Sequence, residues 1–299
     1  MSVSEVDVSS VADVCANDAL YCRRSLLVQA MKGVLETSRA VLPASVYQVL
    51  YRACFGAYKE FLCRLYWRNV AFRRLARDRA ALSRALAVYR VMPYSLVGSR
   101  GLEATFDAAS GLIAMSIPGD FVECGVAQGG CAALLAGLAA TSAIPRKMWL
   151  FDSFAGLPDP TQADYDGGHR KTGKHIRPLV RGSCLGTRAQ VESLLFSRFG
   201  FDPNRVLLVQ GWFQDTLPAQ KHRIDRIALL RIDGDWYEST MCCLRQLYDK
   251  VVPGGVVIVD DYGVCFGCKR AVHEFFDERR IRPTLVPDRR GGVRFEKVS

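Results

Sequence analysis

Residues 228–262, ALLRIDGDWYESTMCCLRQLYDKVVPGGVVIVDDY, contain two apolar runs, Ala228 to Asp233 and Gly255 to Tyr262, each ending in carboxylates. Runs this short, apolar at nearly every position, suit strands buried on both faces, as in a parallel sheet covered by helices. Between them Glu238 to Val251 has helical length and spacing and stops before Pro253-Gly254-Gly255, which completes a βαβ unit. Adjacent parallel strands then bring Asp233, Asp260 and Asp261 to the carboxyl edge of the sheet, where ligands of open α/β sheets bind.

Three carboxylates at one edge repel one another unless protons, bases or a cation offset them. An all-oxygen set with no nearby Cys/His pattern suits a hard ion such as Mg²⁺. Asp after a strand also serves as the cap of the following helix, so for any single aspartate ligand and cap stand side by side. Asp235, beside Gly234, reads as a turn residue.

Outward from this unit, 299 residues at 49% hydrophobic content can bury a large core, and the length suggests one large domain with an accessory segment. The 11 cysteines are odd in number, scattered and set in apolar runs, which argues for reduced, buried thiols and a cytoplasmic location. The single CxxC, Cys265 to Cys268, has no second pair and makes a poor zinc site. No apolar run reaches the length of a membrane span, and the start, MSVSEVDVSS, lacks the basic and apolar regions of a signal peptide.

The N-terminal part, residues 1–91, reads as a helical, basic accessory segment: a polar start, a helix that Pro43 breaks, and a helical stretch from Tyr47 to Arg90. That stretch holds ten basic and two acidic residues, so it carries +8 of the chain's net +10. A basic amphipathic helix can meet an anionic membrane surface or nucleic acid. No nucleic-acid-binding motif accompanies the charge, so nucleic acid is not an expected partner. Packing on the core or on a second copy of the chain, with arginines in solvent, is the expectation; the interleaved aromatics, Tyr58, Phe61, Tyr66, Trp67 and Phe72 among them, favour it.

From Met92 the composition changes. Gly101 to Ile117 reads as a helix, followed by FVECGVAQGGCAALLAGLAA: a strand, a turn bearing Gly125, Gly129 and Gly130, and a small-residue helix, the opening of a nucleotide-type βα unit. With Glu123 before the first glycine the spacing departs from the dinucleotide fingerprint. The next strand ends in Asp152, 27 residues after Gly125, where a carboxylate can accept hydrogen bonds from a ribose diol. Leu157 to Gly186 is long, polar and aperiodic, and is expected to cover a substrate, with His169 and His175 as candidate contacts. Thr187 to Phe199 reads as a helix, RVLLVQ as a strand, and GWFQDTLP as a turn in which Trp212 either stacks on a base or fills the core. Lys269 to Arg280 is an amphipathic helix with His273 in a packing or surface role, and Thr284 to Val286 with Val293 to Lys297 form a closing hairpin that adds one antiparallel strand.

MPYSLVG (92–98), PGDFVECGVAQGG (118–130), LFDSFAGLP (150–158), GWFQDTLP (211–218), LLRIDGDWYEST (229–240), GGVVIVDDYG (254–263) and CKRAVHEFF (268–276), in this order, resemble the macrocin O-methyltransferase (TylF-like) family. The resemblance covers about Met92 to Lys297. It implies a class I methyltransferase fold over residues 92–299, a Rossmann-like, mostly parallel seven-stranded α/β sheet with helices on both faces. It also implies S-adenosylmethionine held by Glu123, Gly125, Val126, Gly129, Asp152, Ser153, Gln210, Gly211 and Trp212, and Mg²⁺ on Asp233, Asp260 and Asp261. The acceptor would be a hydroxyl of a sugar or related natural product.

The residues suit that chemistry. A neutral hydroxyl is a poor nucleophile, and coordination to a divalent cation lowers its pKa so that a nearby carboxylate can take the proton; Asp233 is the expected base as well as a ligand. A nicotinamide-dependent oxidoreductase would share the sheet but has no use for three clustered aspartates. A non-enzymatic adaptor would rest on the basic helix alone.

Overall fold

The computed structural model describes residues 44–166, 178–179 and 181–298. The segment ahead of Pro43, and His169, Lys171, Lys174, His175 and Arg177 of the long polar segment, lie outside these residues. The chain divides into two compact units, Met1–Ala71 and Phe72–Ser299, so the second begins ahead of the boundary expected at residue 91.

Helix α1 (Ala44–Leu75) covers most of the arginine-rich stretch. It has no acidic residue in its first turn and ends on Arg73 and Arg74, cations that suit the negative end of the helix dipole. Phe61, Trp67 and Phe72 are exposed along it, beside Arg64 and Arg68.

Helix α2 (Arg79–Val91) is capped by Asp78, whose carboxylate accepts the Ala81 N–H at 3.0 Å. Ala85, Val88 and Val91 recur on one face and are buried where α2 packs on α3 (Ser99–Ala114) and α4 (Gly130–Thr141). This places α2 in the unit that carries the sheet.

The sheet has seven strands: β1 (Asp120–Cys124), β2 (Met148–Asp152), β3 (Val206–Gln210), β4 (Ile227–Ile232), β5 (Val251–Val259), β6 (Val286–Pro287) and β7 (Val293–Glu296), in the order β3-β2-β1-β4-β5-β7-β6. The first five are parallel, and β7 runs antiparallel to both β5 and β6, as the closing hairpin implied. Val122, Cys124, Trp149, Phe151, Leu230, Ile232, Val257 and Val259 alternate onto one face. There they meet apolar residues of α6 (Phe213–Gln220), α7 (Tyr237–Leu247) and α8 (Phe266–Arg279), the helices that follow the short α5 (Arg188–Glu192) in the chain. On the other face α3 and α4 close the second layer. Chain order reverses between β1 and β4, and the crevice at such a switch is where open sheets bind ligands.

One reading is corrected. GWFQDTLP is a turn only at Gly211 (φ 141°) and Trp212; helix α6 starts at Phe213 and accommodates Pro218 in its second turn. The described residues of the segment from Leu157 to Gly186 are partly buried. Leu157 and Asp164 are buried, a 3₁₀ turn forms at Gln162–Asp164, and Leu157 exchanges backbone hydrogen bonds with Gly182 and Ser183, both at 2.9 Å. Polar composition hid this because the buried polar group is satisfied: Asp164 accepts the N–H groups of Thr161 and Tyr237.

Candidate active site

Backbone contacts between strand ends assemble the site. The Asp233 N–H donates to Cys124 O at 2.8 Å and the Asp260 N–H to Ile232 O at 3.0 Å, tying the ends of β1, β4 and β5 together. Gly125 (φ 95°) then passes so close to Asp233 that a Cβ there would lie 1.8 Å from the Asp233 carbonyl oxygen. Only glycine permits both the left-handed conformation and this approach.

Asp152, at the end of β2, organises the turn after β1. Its Oδ2 accepts the N–H of Val126 at 2.7 Å and of Ala127 at 3.0 Å, and its Oδ1 accepts that of Phe154 at 2.6 Å. A carboxylate has about four lone-pair sites, so one remains for a ligand. Ser153 Oγ is used locally, donating to Gly156 O and accepting the Ala155 N–H. Gly129 (φ 86°) precedes the first turn of α4. Gln210 is exposed at the end of β3 in register with Asp152, the Gly211 N–H donates to Asp152 O, and Trp212 is half-buried beside them. Structure thus gathers Gly125, Val126, Gly129, Asp152, Ser153, Gln210, Gly211 and Trp212 along the ends of β1, β2 and β3.

Glu123 stands apart from these. It is fully buried in β1, opposite Arg231 of β4, and Arg231 Nη1 donates to its Oε1 at 3.0 Å. The same Nη1 reaches Asp233 Oδ2 at 2.9 Å, and Nη2 reaches Asp260 Oδ1 at 2.7 Å. Arg290, from the turn between β6 and β7, donates through Nη1 to Asp260 Oδ2 at 2.5 Å. Part of the repulsion expected among the aspartates is therefore offset by two arginines that the sequence reading overlooked. The sign of a missed partner was the single arginine inside an apolar strand buried on both faces, because a buried guanidinium needs carboxylates.

Protonation follows from these neighbours. Burial raises the carboxyls of Asp233 and Asp261, helped by Asp260 at the former and by Asp235 at the latter. Asp235 is pushed up to about 8 by burial and by Asp233, and burial lifts Glu123 to about 7 against the pull of Arg231. Burial works in the same sense at Asp260, but Arg231 and Arg290 outweigh it and hold this carboxyl below its ordinary value.

Among the described residues, Asp233, Asp260 and Asp261 each offer a carboxylate oxygen within 4.8 Å of the others. Three hard oxygen donors at this spacing fit a small divalent ion, whose bonds to oxygen are about 2.0–2.1 Å for Mg²⁺. Asp235 lies in a turn (φ 54°), as expected, and forms a second such group with Asp261 and Cys265. The Cys265 thiol is buried and held protonated by burial and by Asp261, which makes it a poor ligand. His273 is exposed and its Nε2 lies 2.8 Å from the Tyr262 hydroxyl, a surface role as expected.

Comparison with known proteins agrees with this architecture. A profile described as Macrocin-O-methyltransferase (TylF) matches residues 34–295, starting well ahead of Met92, so much of the basic N-terminal stretch lies within the family. The chain is 38% identical over 206 residues to demethyldecarbamoylnovobiocin O-methyltransferase of Streptomyces niveus, covering 69% of this chain and 76% of that one. It is 31% identical over 212 residues to mycinamicin III 3''-O-methyltransferase of Micromonospora griseorubida, covering 71% and 81%. The solved structure of the O-methyltransferase NovP superimposes with a TM-score of 0.60 at 37% identity, covering 69% of this chain and 83% of that one. The oxidoreductase and adaptor alternatives fall with these matches, and the fold is that of a class I methyltransferase. The chain belongs to the macrocin-O-methyltransferase (TylF) family and is an S-adenosylmethionine-dependent O-methyltransferase.

Proposed function

We propose that this chain methylates a hydroxyl of a sugar or related natural-product acceptor, with Mg²⁺ held by Asp233, Asp260 and Asp261. The observation that carries it is the contact between Gly125 and Asp233: the turn that faces the cofactor and the carboxylate edge touch through backbone. Donor and acceptor sites are therefore one crevice. When bound, Mg²⁺ lowers the pKa of a coordinated hydroxyl, and the sulfonium supplies a methyl group on an already cationic leaving group.

The chain's own residues do the rest. Gly125, Val126 and Gly129 give the cofactor close access to backbone, and Asp152 keeps one lone pair for the ribose. Gln210, Gly211 and Trp212 flank the base, while Ser153 shapes the turn after β2 and Glu123 supports the site from beneath. Asp233, partly open to solvent, has no protein donor on its Oδ1 among the described residues, so it can take the acceptor's proton as well as bind the ion. Residues 157–186 are read as the segment that covers the acceptor, a reading supported by the backbone bonds of Leu157 to Gly182 and Ser183.

The acceptor class is supported by the relatives' names, which include a rhamnosyl-tetracenomycin 4'-O-methyltransferase of Streptomyces olivaceus. The accessory segment, expected over residues 1–91, is read as ending near Ala71, with Phe72–Ser299 as the catalytic domain. Phe61, Trp67 and Phe72 of α1 point to packing or self-association, with contact to an anionic membrane surface as the outcome to exclude by vesicle co-sedimentation. No helix among the described residues is long and apolar enough to cross a membrane, and a cytoplasmic location is proposed. Transfer of labelled methyl from S-adenosylmethionine to a panel of glycosides, with Mg²⁺ or with EDTA, tests the reading. Activity on no hydroxyl acceptor, or full activity in EDTA, would overturn its substrate or its metal part respectively.

A further inference from the structure

Asp233 and Asp260 each give one carboxylate oxygen to Arg231, which is 0% exposed. A buried ion network is often no better for stability than apolar residues of similar volume, because desolvation offsets the attraction. This network also leaves bonding capacity unused: Arg231 Nε is buried with no hydrogen-bond partner among the described residues. Maximal pairing is thus not what sets the arginine's position. What it does achieve is geometric, since its planar fork holds Asp233 through Nη1 and Asp260 through Nη2 in a fixed relation.

We propose that Arg231 is a positioning residue of the cation site. It draws Asp233 Oδ2 and Asp260 Oδ1 towards itself, which among the described residues leaves Asp233 Oδ1 without a protein donor and Asp260 Oδ2 with Arg290. Mg²⁺ demands near-octahedral geometry, so carboxylates oriented in advance lose less freedom when they bind it. Glu123 anchors the arginine from β1, so the support for the cation site originates directly beneath the cofactor turn. This rests on the Mg²⁺ reading above. Charge alone argues the opposite way, because a guanidinium beside a cation site repels the ion.

The test is calorimetric titration of MgCl₂ into the full chain and into Arg231→Lys, with circular dichroism on both. Lysine keeps the charge and loses the fork, so the variant should keep its spectrum and bind Mg²⁺ about 10- to 100-fold more weakly, the usual cost of removing a residue that orients metal ligands. Equal or tighter binding by a folded variant overturns the proposal while leaving the Mg²⁺ reading intact. Absence of Mg²⁺ binding by the unaltered chain overturns both. Should the lysine variant fail to fold, ¹⁵N-arginine spectra of the unaltered chain decide: the Arg231 side-chain signals should shift on adding MgCl₂, and signals that stay in place overturn the proposal.

Discussion

The Asp164 carboxylate accepts the backbone N–H of Tyr237 at 2.7 Å, so the helix that follows the aspartate edge is capped by a residue 73 positions upstream. Trp236, in the N-cap position itself, makes no side-chain cap bond. Asp164→Ala should therefore cost about 2 kcal/mol, the range of a lost cap with a charged acceptor. Urea unfolding measures the loss. Limited proteolysis should show faster cutting between residues 165 and 186, and unchanged stability and cutting would mean that Asp164 does not hold this segment.

Asp233→Asn should lower the methyl-transfer rate by about 10²- to 10⁴-fold, the span of a general-base contribution, and should also weaken Mg²⁺ binding. Asp235→Asn separates the two carboxylates of the DGD turn. If Asp233 is the base, the Asp235 variant retains most of its rate at saturating Mg²⁺. A larger loss in the Asp235 variant reassigns the proton acceptor.

Stability of the metal-free chain should fall as pH rises from about 4 to about 8. Glu123, lifted from 4.5 to about 7, and Asp235, lifted from 3.8 to about 8, keep protons in the folded state that the unfolded chain has already released. The folded state then binds more protons across that window, and stability declines with pH. Asp260 works in the opposite sense, but only at lower pH, because its folded value lies below 3.8. Melting temperature in EDTA between pH 5 and 8 checks the slope, which excess Mg²⁺ should flatten. A flat or rising trend in EDTA would contradict the assignment.

Arg290→Gln should strengthen Mg²⁺ binding, the reverse of Arg231→Lys. Arg290 sits on a turn at 32% side-chain exposure and offers its charge to Asp260 without bridging to a second aspartate. Removing about 1 kcal/mol of partly screened repulsion corresponds to roughly fivefold in affinity. Calorimetry under the same conditions as for Arg231→Lys reads the sign, and weaker binding would make Arg290 a second support for Asp260.

Strands β1, β2, β4 and β5 were legible because apolar residues at nearly every position leave little alternative to a sheet covered on both faces. The three aspartates were legible because each lies just past a strand end. Their arrangement was not, since strand order depends on crossovers that local patterns do not encode. Arg231 lay in plain view within ALLRID, yet two of its partners, Glu123 in β1 and Asp260 just past β5, are 108 and 29 residues away. Asp164 was hidden by a polar neighbourhood, and α6 by the glycine and proline at either side of its start.

The clasp of Leu157 against Gly182 and Ser183 makes the chain between them a cassette. Entry and exit are fixed by backbone bonds, so the entropic cost of closing this loop grows only slowly with its length. On the reading that this segment covers the acceptor, a change of its length or chemistry should be tolerated better than a change at Leu157, Gly182 or Ser183, which make the clasp. On the same reading, acceptor choice and methyl transfer would be encoded in separate stretches of the chain.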